Sequence, residues 1–431
     1  MTEARIQDRL VSLDVFRGMT IAGMTLVNNP GTWSDIYGPL KHAEWHGITP
    51  TDYIFPFFLF IVGVAIPISF RERSGTEEAS SGNLYRKIVI RAVKIFALGL
   101  LIYAIPFFNF SETGAPQSVK VLITLGFSAA LFFYLIDNFK LGGLLFVGSV
   151  IATAIMYFAG VEIVWPDLAT MRIPGVLQRI AVCYLIVSII YLHTDWKQLA
   201  GIGAVLLLVY WILMTAIPVP GCDVTTIDDK ACNLAAYVDR MVLTESHLWS
   251  QAKVFDPEGI LSTIPALVTT IAGVLTGLWL RTDRSKLEKA AGIFFAGTVL
   301  LAVGWSWSLL FALNKALWTS SYVLYTAGIA LLTLGVCFLL IDVKGWDRWA
   351  RPFVIFGVNA LALYVFSGIM SNLLGLVELP GKVTLQDWIF ENLFLSWVKP
   401  VTASLAFAVS YVLLWLFLMW LLYRKRIYIK V

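Results

Sequence analysis

Charged residues are scarce in this chain. Only 14% of its 431 residues are Asp, Glu, Lys or Arg, whereas a soluble globular protein has about 25%. Hydrophobic residues make up 58% of the chain, and the mean hydropathy is +0.78. This composition excludes a soluble globular protein, and apolar stretches of about 20 residues, each long enough to cross a bilayer, recur along the sequence. We therefore expect an all-α polytopic membrane protein with a single membrane domain over residues 1–431.

The apolar stretches predict about twelve membrane helices. The fourth and fifth are joined by only three residues, and the last follows an amphipathic segment at 385–398, so ten or eleven helices are the alternatives. The predicted helices cover residues 10–28, 51–70, 86–106, 118–137, 141–160, 174–193, 198–217, 258–280, 288–311, 321–342, 351–372 and 400–423.

The basic residues indicate the orientation. With the N-terminus assigned to the cytoplasm, the inner connections hold nineteen Lys and Arg, and the outer connections hold nine. The positive-inside rule therefore predicts that both termini are cytoplasmic. The N-terminal segment carries acids and lacks the residue order of a cleavable signal, so we expect the first helix to be retained. The net charge of +4 and the absence of a basic run with interleaved aromatics argue against a nucleic-acid partner.

Cysteine is also rare, with four residues in the chain. Cys222 and Cys232 both lie in the long polar connection at 218–257, which the predicted orientation places outside the cytoplasm. Because an oxidising compartment permits disulfides, we expect these two residues to be bonded. Two free thiols are the alternative.

Histidine occurs only four times, and two of the four lie in one connection. His42 and His46 lie close to Glu44 and Asp52, just before the second predicted helix. Because only imidazole titrates near neutral pH without perturbation, this cluster is suited to proton transfer. Three alternatives remain: a zinc site made by the two histidines, histidines that only cap a helix at the interface, and an Asp52 that only complements a helix N-terminus.

Other polar residues lie inside the apolar stretches. A charged residue at the centre of a membrane helix costs about 2.5 to 3.5 kcal/mol, so it normally faces the protein interior or a wet cavity. Arg17 lies three residues after Asp14, Arg179 lies deep in the sixth predicted helix, and Asn359 lies in the eleventh. We expect Arg179 to have a buried partner or a bound anion.

Several polar segments occur in one characteristic order. They are Asp14-Val15-Phe16-Arg17-Gly18, Leu26-Val27-Asn28, Lys41-His42-Ala43-Glu44-Trp45, Thr49-Pro50-Thr51-Asp52, Phe55-Pro56-Phe57-Phe58, Arg172-Ile173-Pro174-Gly175-Val176-Leu177-Gln178-Arg179, Phe255-Asp256-Pro257-Glu258-Gly259, Asn314-Lys315-Ala316-Leu317-Trp318, Ser321-Tyr322 and Leu422-Tyr423-Arg424-Lys425-Arg426. Together they resemble the catalytic domain of the heparan-alpha-glucosaminide N-acetyltransferase family, the transmembrane acetyltransferases of lysosomes and their bacterial relatives.

The resemblance implies an acyltransferase that joins cytosolic acetyl-CoA to an amino sugar, or a sugar hydroxyl, on the far side of the membrane. It implies a bacterial inner membrane and a homodimer. We expect no metal, because Ala43 follows His42 where the zinc-protease pattern requires Glu. The resemblance also implies that His42 is the essential histidine, and that Asn28 and Asp52 belong to the reaction centre. We chose Arg17, Arg179 and Asn359 as acetyl-CoA contacts because they are buried donors suited to phosphate or amide groups.

This chain departs from the lysosomal enzymes in two ways. From the resemblance we expect it to begin directly at the catalytic part, without their N-terminal luminal domain and extra helix, and to add the helix pair at 118–137 and 141–160. These departures leave the acceptor, and the choice between N- and O-acetylation, open.

The predicted chemistry assigns one role to each reaction-centre residue. His42 removes the proton from the acceptor amine, Asp52 orients the imidazole, and Asn28 donates to the developing oxyanion. Acetyl-CoA is expected in a cavity that opens to the cytoplasm. Direct transfer and a ping-pong cycle through an acetylated His42 are both open. The alternatives from other classes are a transporter or channel for a sugar or acyl compound, and a structural membrane subunit.

Overall fold

The computed structural model describes residues 10–74 and 81–429. Within these ranges the secondary structure is almost entirely helical. The α-helices are α1 (Val11–Asn28), α2 (Ile54–Ser74), α3 (Ser81–Ala104), α4 (Gln117–Leu135), α5 (Phe139–Phe158), α6 (Val176–His193), α7 (Trp196–Ala216), α8 (Leu234–Leu243), α9 (Thr263–Leu280), α10 (Lys286–Trp307), α11 (Ser320–Phe338), α12 (Arg351–Val358), α13 (Ala360–Leu376), α14 (Leu385–Phe390) and α15 (Pro400–Arg424). Strands β1 (Glu378–Leu379) and β2 (Val383–Thr384) pair antiparallel.

Nine helices in the described part of the chain are long and apolar enough to cross a membrane. They are α2, α4, α5, α6, α7, α9, α10, α11 and α15, and α12 with α13 makes a tenth span if that pair is counted as one. The prediction of an all-α polytopic membrane protein is confirmed. Helix α1 contains Asp14 and Arg17 and α3 contains four basic residues, and neither is among the nine. A count of twelve therefore stays a prediction.

The span predicted at 351–372 is broken in the structure. Helices α12 and α13 are bent by 70° at Asn359, which lies between them. The Asn359 side chain donates to the carbonyl of Ile427 (3.1 Å) and accepts from the backbone N–H of Ile429 (2.8 Å). An Asn that bonds to a distant backbone segment can interrupt a helix without leaving polar groups unsatisfied. Hydropathy alone could not locate this break.

The described residues form two compact units. The first contains those within 1–20, 42–99 and 169–351. Its central packing joins α2 and α9, where a Cβ on Gly63 would collide with the carbonyl oxygen of Thr270, and one on Gly273 would collide with that of Phe60. Only glycine allows this close approach, as small residues do between membrane helices. Farther along, a Cβ on Gly277 would collide with Pro67, so the two helices run in the same direction and their N-terminal ends are near each other.

The second unit contains the described residues within 21–41, 100–168 and 352–431. Helices α4 and α5 form an antiparallel hairpin, and its buried residues Phe127 and Met156 pack with Phe108 and Phe110. The ammonium of Lys120 donates to the carbonyl of Phe110 (2.6 Å) and to that of Thr113 (3.2 Å). The helix pair that the sequence predicted at 118–137 and 141–160 is therefore present, with each helix shifted by one or two residues.

Candidate active site

The segment from His42 to Asp52 folds around the Asp52 carboxylate. Asp52 lies in a 3-10 turn, Pro50–Tyr53, that leads directly into α2. Its Oδ2 accepts hydrogen bonds from the backbone N–H of Thr49 (3.0 Å), the hydroxyl of Thr49 (3.0 Å) and the backbone N–H of Ala43 (3.1 Å). The side chain is 1% exposed, and these donors offset the cost of burying the charge. One carboxylate oxygen is thereby held by the segment itself.

The other oxygen of Asp52 contacts the imidazole of His42. The Nδ1 to Oδ1 distance is 2.6 Å, and the His42 side chain is 48% exposed. Because a carboxylate only accepts, the proton of the neutral ring lies on Nδ1. The lone pair is then on Nε2, which is the tautomer that a general base requires.

Lys315 is a third member of this cluster, although it was not among the predicted reaction-centre residues. Its Nζ lies 3.0 Å from Nδ1 and 3.2 Å from Nε2 of His42, and 3.7 Å from Oδ1 of Asp52. Because Nζ is almost equally far from the two ring nitrogens, it lies beside the ring rather than in line with the Nε2 lone pair, and Nε2 is the only ring nitrogen with a lone pair to accept from it. Burial lowers the pKa of the Lys315 ammonium below its ordinary value, although the carboxylates of Asp52 and Glu258 oppose this shift.

The turn before α11 places Lys315. The side chain of Asn314 accepts from the backbone N–H of Leu317 (2.9 Å), and the hydroxyl of Tyr322 donates to the carbonyl of Asp52 (2.6 Å). This second bond ties the start of α11 to the start of α2. The segment Asn314-Lys315-Ala316-Leu317-Trp318 was one of the resembling motifs, and that was the available sequence signal for Lys315.

His46 has a different environment from His42. Its Nε2 lies 2.9 Å from Oδ1 of Asp228, and its Nδ1 lies 3.3 Å from the amide nitrogen of Asn314. Among the described residues, no three His, Cys, Asp or Glu side chains are grouped closely enough to hold a metal ion. The two histidines contact separate carboxylates, and proton transfer at His42 stays a prediction.

Arg179 is 3% exposed and has its partners within the protein. Its guanidinium donates to the carbonyls of Pro257 (2.9 Å) and Gly259 (2.8 Å) and to the hydroxyl of Ser262 (2.5 Å). It also lies 5.2 Å from the centre of the Trp318 ring. These contacts account for a buried charge at this depth, and binding of acetyl-CoA by Arg179 stays a prediction.

Two further side chains bind the segment at 256–262 that Arg179 contacts. Arg172 donates to both carboxylate oxygens of Asp256 (2.9 and 2.6 Å) and to Glu258 (2.5 Å). Asp239 of α8 accepts from the backbone N–H of Ile260 (2.8 Å) and of Asp256 (3.3 Å). These bonds keep residues 256–262 out of a helix, and α9 begins at Thr263, five residues after the predicted start of this span.

The remaining predicted residues lie on other elements than the His42–Asp52 pair. Arg17 donates to Asp14 one turn earlier in α1 (3.1 Å), and its side chain is 28% exposed. Asn28 is the last residue of α1, is exposed, and belongs to the second unit. Asn359 is also in the second unit, with its amide bonded to the 427–429 backbone. Their roles in catalysis and acetyl-CoA binding stay predictions.

The connection between α7 and α9 contains a disulfide. Cys222 and Cys232 are bonded with an S–S distance of 2.05 Å, while Cys183 and Cys337 are free and buried. The indole N–H of Trp45 donates to the carbonyl of Ile227 (2.8 Å). The disulfide loop therefore lies against the segment that carries His42.

Two mammalian proteins align with nearly the whole of this chain. The human protein named heparan-alpha-glucosaminide N-acetyltransferase is 26% identical over 479 aligned positions, which cover 98% of this chain and 60% of the human protein. The mouse protein of the same name is 24% identical over 477 positions, covering 98% of this chain and 61% of that protein. The chain thus spans about 60% of the length of these curated relatives. The sequence model described as "Heparan-alpha-glucosaminide N-acetyltransferase, catalytic" matches residues 9–295, which include His42 and Asp52, so the chain belongs to this family.

Proposed function

We propose that this protein is a transmembrane acetyltransferase that moves an acetyl group from cytosolic acetyl-CoA to an amino sugar, or a sugar hydroxyl, on the extracytoplasmic side of the membrane. The observation that carries the proposal is the 2.6 Å contact between Nδ1 of His42 and the buried carboxylate of Asp52. The family to which the chain belongs is named for N-acetyl transfer. An oriented imidazole is the group that this reaction requires.

The chemistry explains that requirement. An amino sugar is largely protonated at neutral pH, and an ammonium has no lone pair with which to attack a thioester. A base must remove a proton as the nitrogen bonds to the acetyl carbon. Nε2 of His42 takes that proton, while Asp52 holds the ring in one tautomer and stabilises the imidazolium.

The residues proposed as acetyl-CoA contacts differ in exposure and in their hydrogen-bond partners. The guanidinium of Arg17 is partly exposed, whereas Arg179 and Asn359 are bonded to backbone groups of the protein. Arg17 is therefore our first choice for a phosphate of acetyl-CoA. Asn28 exposes its side chain and is our choice for the donor to the oxyanion.

In the proposed orientation both termini lie in the cytoplasm, and twelve spans cross a bacterial inner membrane. We also propose that the protein is a homodimer. The disulfide between Cys222 and Cys232 supports an outer location for the 218–257 connection, because thiols in the cytoplasm are kept reduced. The His42 segment contacts this connection through Trp45 and Ile227. The acceptor would then reach His42 from outside.

The proposal is tested by incubating the purified protein with labelled acetyl-CoA and a panel of amino sugars. We expect acetyl transfer by the wild type, a loss of about 100-fold or more in His42→Ala, and little change in His46→Ala, the matched control. Full activity in His42→Ala would exclude the proposed base. Uptake of a labelled sugar into vesicles without any thioester turnover would instead support the transporter alternative.

A further inference from the structure

The protein places an amine of its own where the proposed reaction requires the acceptor amine. A general base must lie about 2.6 to 3.2 Å from the atom whose proton it removes. Nζ of Lys315 lies 3.2 Å from Nε2 of His42 and 3.0 Å from Nδ1. The lysine side chain is flexible, so a small rotation brings this amine in line with the Nε2 lone pair, the position that the amine of an amino sugar takes during transfer.

We propose that Lys315 is a self-acetylation site, whose Nζ receives the acetyl group of acetyl-CoA when no acceptor is bound. This inference rests on the proposed function, because it uses the same base and the same donor. In the reaction the neutral Nζ bonds to the acetyl carbon, and the C–S bond of the thioester breaks. The proton that Nζ loses passes to His42 and then to the CoA sulfur. The products are Nε-acetyl-lysine and free CoA.

Three features of Lys315 favour this reaction. Its side chain is 21% exposed, so a reagent can reach it. It is held by the protein beside the base, so its attack needs no second diffusing molecule. Burial lowers the pKa of its ammonium, which raises the fraction present as the nucleophilic amine.

Two lysines of the 218–257 connection have no base beside their amines and provide an internal comparison. Lys230 is exposed in the disulfide loop, and its Nζ lies 5.7 Å from the centre of the Trp45 ring. Lys253 is exposed in the same connection. Within the described part of the chain neither is hydrogen-bonded to a histidine, so chemical acetylation without enzymatic assistance is expected at both.

Acetylation of Lys315 would also inactivate the site. An amide is stable in water, whereas an acetyl-imidazole hydrolyses readily, so the modified protein would not return to its starting state by itself. The acetylated side chain is neutral and larger, and it would occupy the acceptor position beside His42. A bound amino sugar protects Lys315 because it takes that position, so activity would depend on acceptor supply.

The test is incubation of the purified protein with deuterium-labelled acetyl-CoA in the absence of acceptor. Hydroxylamine then removes any acetyl-imidazole, and chymotryptic peptides are examined by mass spectrometry. We expect labelling of Lys315 to exceed that of Lys230 by about tenfold or more, and to fall about tenfold in His42→Ala and with saturating glucosamine. If His42→Ala aggregates, His42→Gln replaces it.

A kinetic readout accompanies the labelling. Wild-type transfer activity should decline with time of preincubation in acetyl-CoA alone, whereas Lys315→Arg, whatever its initial rate, should show no such decline. A wild type that acetylates an amino sugar but labels Lys315 no more than Lys230 would overturn this inference and leave the proposed function intact. Absence of both transfer and thioester turnover would overturn both.

Discussion

His42 and His46 each contact a carboxylate, and the two imidazole–carboxylate pairs differ in burial. Asp52 is 1% exposed and contacts His42 at 2.6 Å, whereas Asp228 is 75% exposed and contacts His46 at 2.9 Å. Solvent screens the exposed pair, which contributes about 0 to 1 kcal/mol. The buried pair has a fixed geometry because Asp52 is held by backbone donors. Only the buried pair can impose one tautomer on its histidine.

The Asp52→Asn variant tests this difference. The substitution keeps the volume of the side chain, but the new amide can present an N–H to Nδ1 of His42, which would favour the opposite ring tautomer. We expect kcat/KM for acetyl transfer to fall by about 100-fold to 10,000-fold, measured with labelled acetyl-CoA and glucosamine.

The matched control is Asp228→Asn, which changes the exposed pair in the same chemical way. Its kcat/KM should stay within about twofold of wild type. Thermal unfolding of both variants in detergent separates a loss of catalysis from a loss of folded protein. Equal effects at the two positions would contradict a special role for Asp52.

At the scale of elements, the segment at 256–262 joins the disulfide connection to α9. Its backbone groups are bonded by Arg179 and Asp239 rather than by helical neighbours, and Arg172 binds the carboxylates of Asp256 and Glu258. Buried backbone carbonyls without partners cost about 1 to 3 kcal/mol each. Arg179 and Asp239 therefore account for the nonhelical start of this region, next to the turn that carries Lys315.

Replacement of Arg179 by Met should destabilise the protein strongly. The variant leaves the carbonyls of Pro257 and Gly259 without their donor in a buried place. We expect a loss of about 3 kcal/mol or more in the free energy of unfolding, seen as a lower Tm in detergent. Arg240→Met is the control, because Arg240 also bonds two carbonyls but is more exposed.

The free energy of unfolding of Arg240→Met should fall by about 1 kcal/mol.

The prediction that Arg179 binds acetyl-CoA is tested separately with Arg179→Lys, which keeps the charge. A raised KM for acetyl-CoA with an unchanged Tm would support that prediction. A lower Tm with an unchanged KM would assign Arg179 to structure alone.

Asp239 makes the same region sensitive to pH. Burial raises the pKa of Asp239 from 3.8 to about 6, so the folded protein binds this proton more tightly than the unfolded chain does. The stabilisation linked to the proton is present below pH 3.8 and is lost as pH rises through about 6. This shift corresponds to on the order of 3 kcal/mol.

We therefore expect the wild-type Tm to fall between about pH 4.5 and about pH 7 by more than that of Asp239→Asn, whose side chain stays neutral. Scanning calorimetry or dye-based melting in detergent measures both curves. Parallel curves would show that Asp239 does not titrate in this range.

At the scale of the whole molecule, the proposed orientation places the 218–257 connection outside the cytoplasm. The positive-inside bias and the Cys222–Cys232 disulfide support the same side. The charge bias and the disulfide both concern the face of the membrane on which the connection lies, and neither observation depends on catalysis. Topology can therefore be tested independently of activity.

An impermeant maleimide provides that test in a Cys183→Ser, Cys337→Ser background. After treatment with an impermeant reductant, we expect Cys222 and Cys232 to be labelled in right-side-out vesicles and not in inside-out vesicles. Labelling without reduction would show free thiols. The opposite sidedness would place both termini outside and would contradict acceptor entry from the extracytoplasmic face.

The sequence by itself determined the helical class and the His42–Asp52 pair. Apolar stretches in lipid must satisfy their backbone bonds internally, so hydropathy predicts helices. His42 and Asp52 are only ten residues apart and are joined by a Thr-Pro-Thr turn, so local structure suffices to bring them together. Lys315 lies 273 residues beyond His42, and no local pattern connects them. Only the tertiary structure brings that amine to the base, through the bond between Tyr322 and Asp52 and the contact of Trp318 with Phe55.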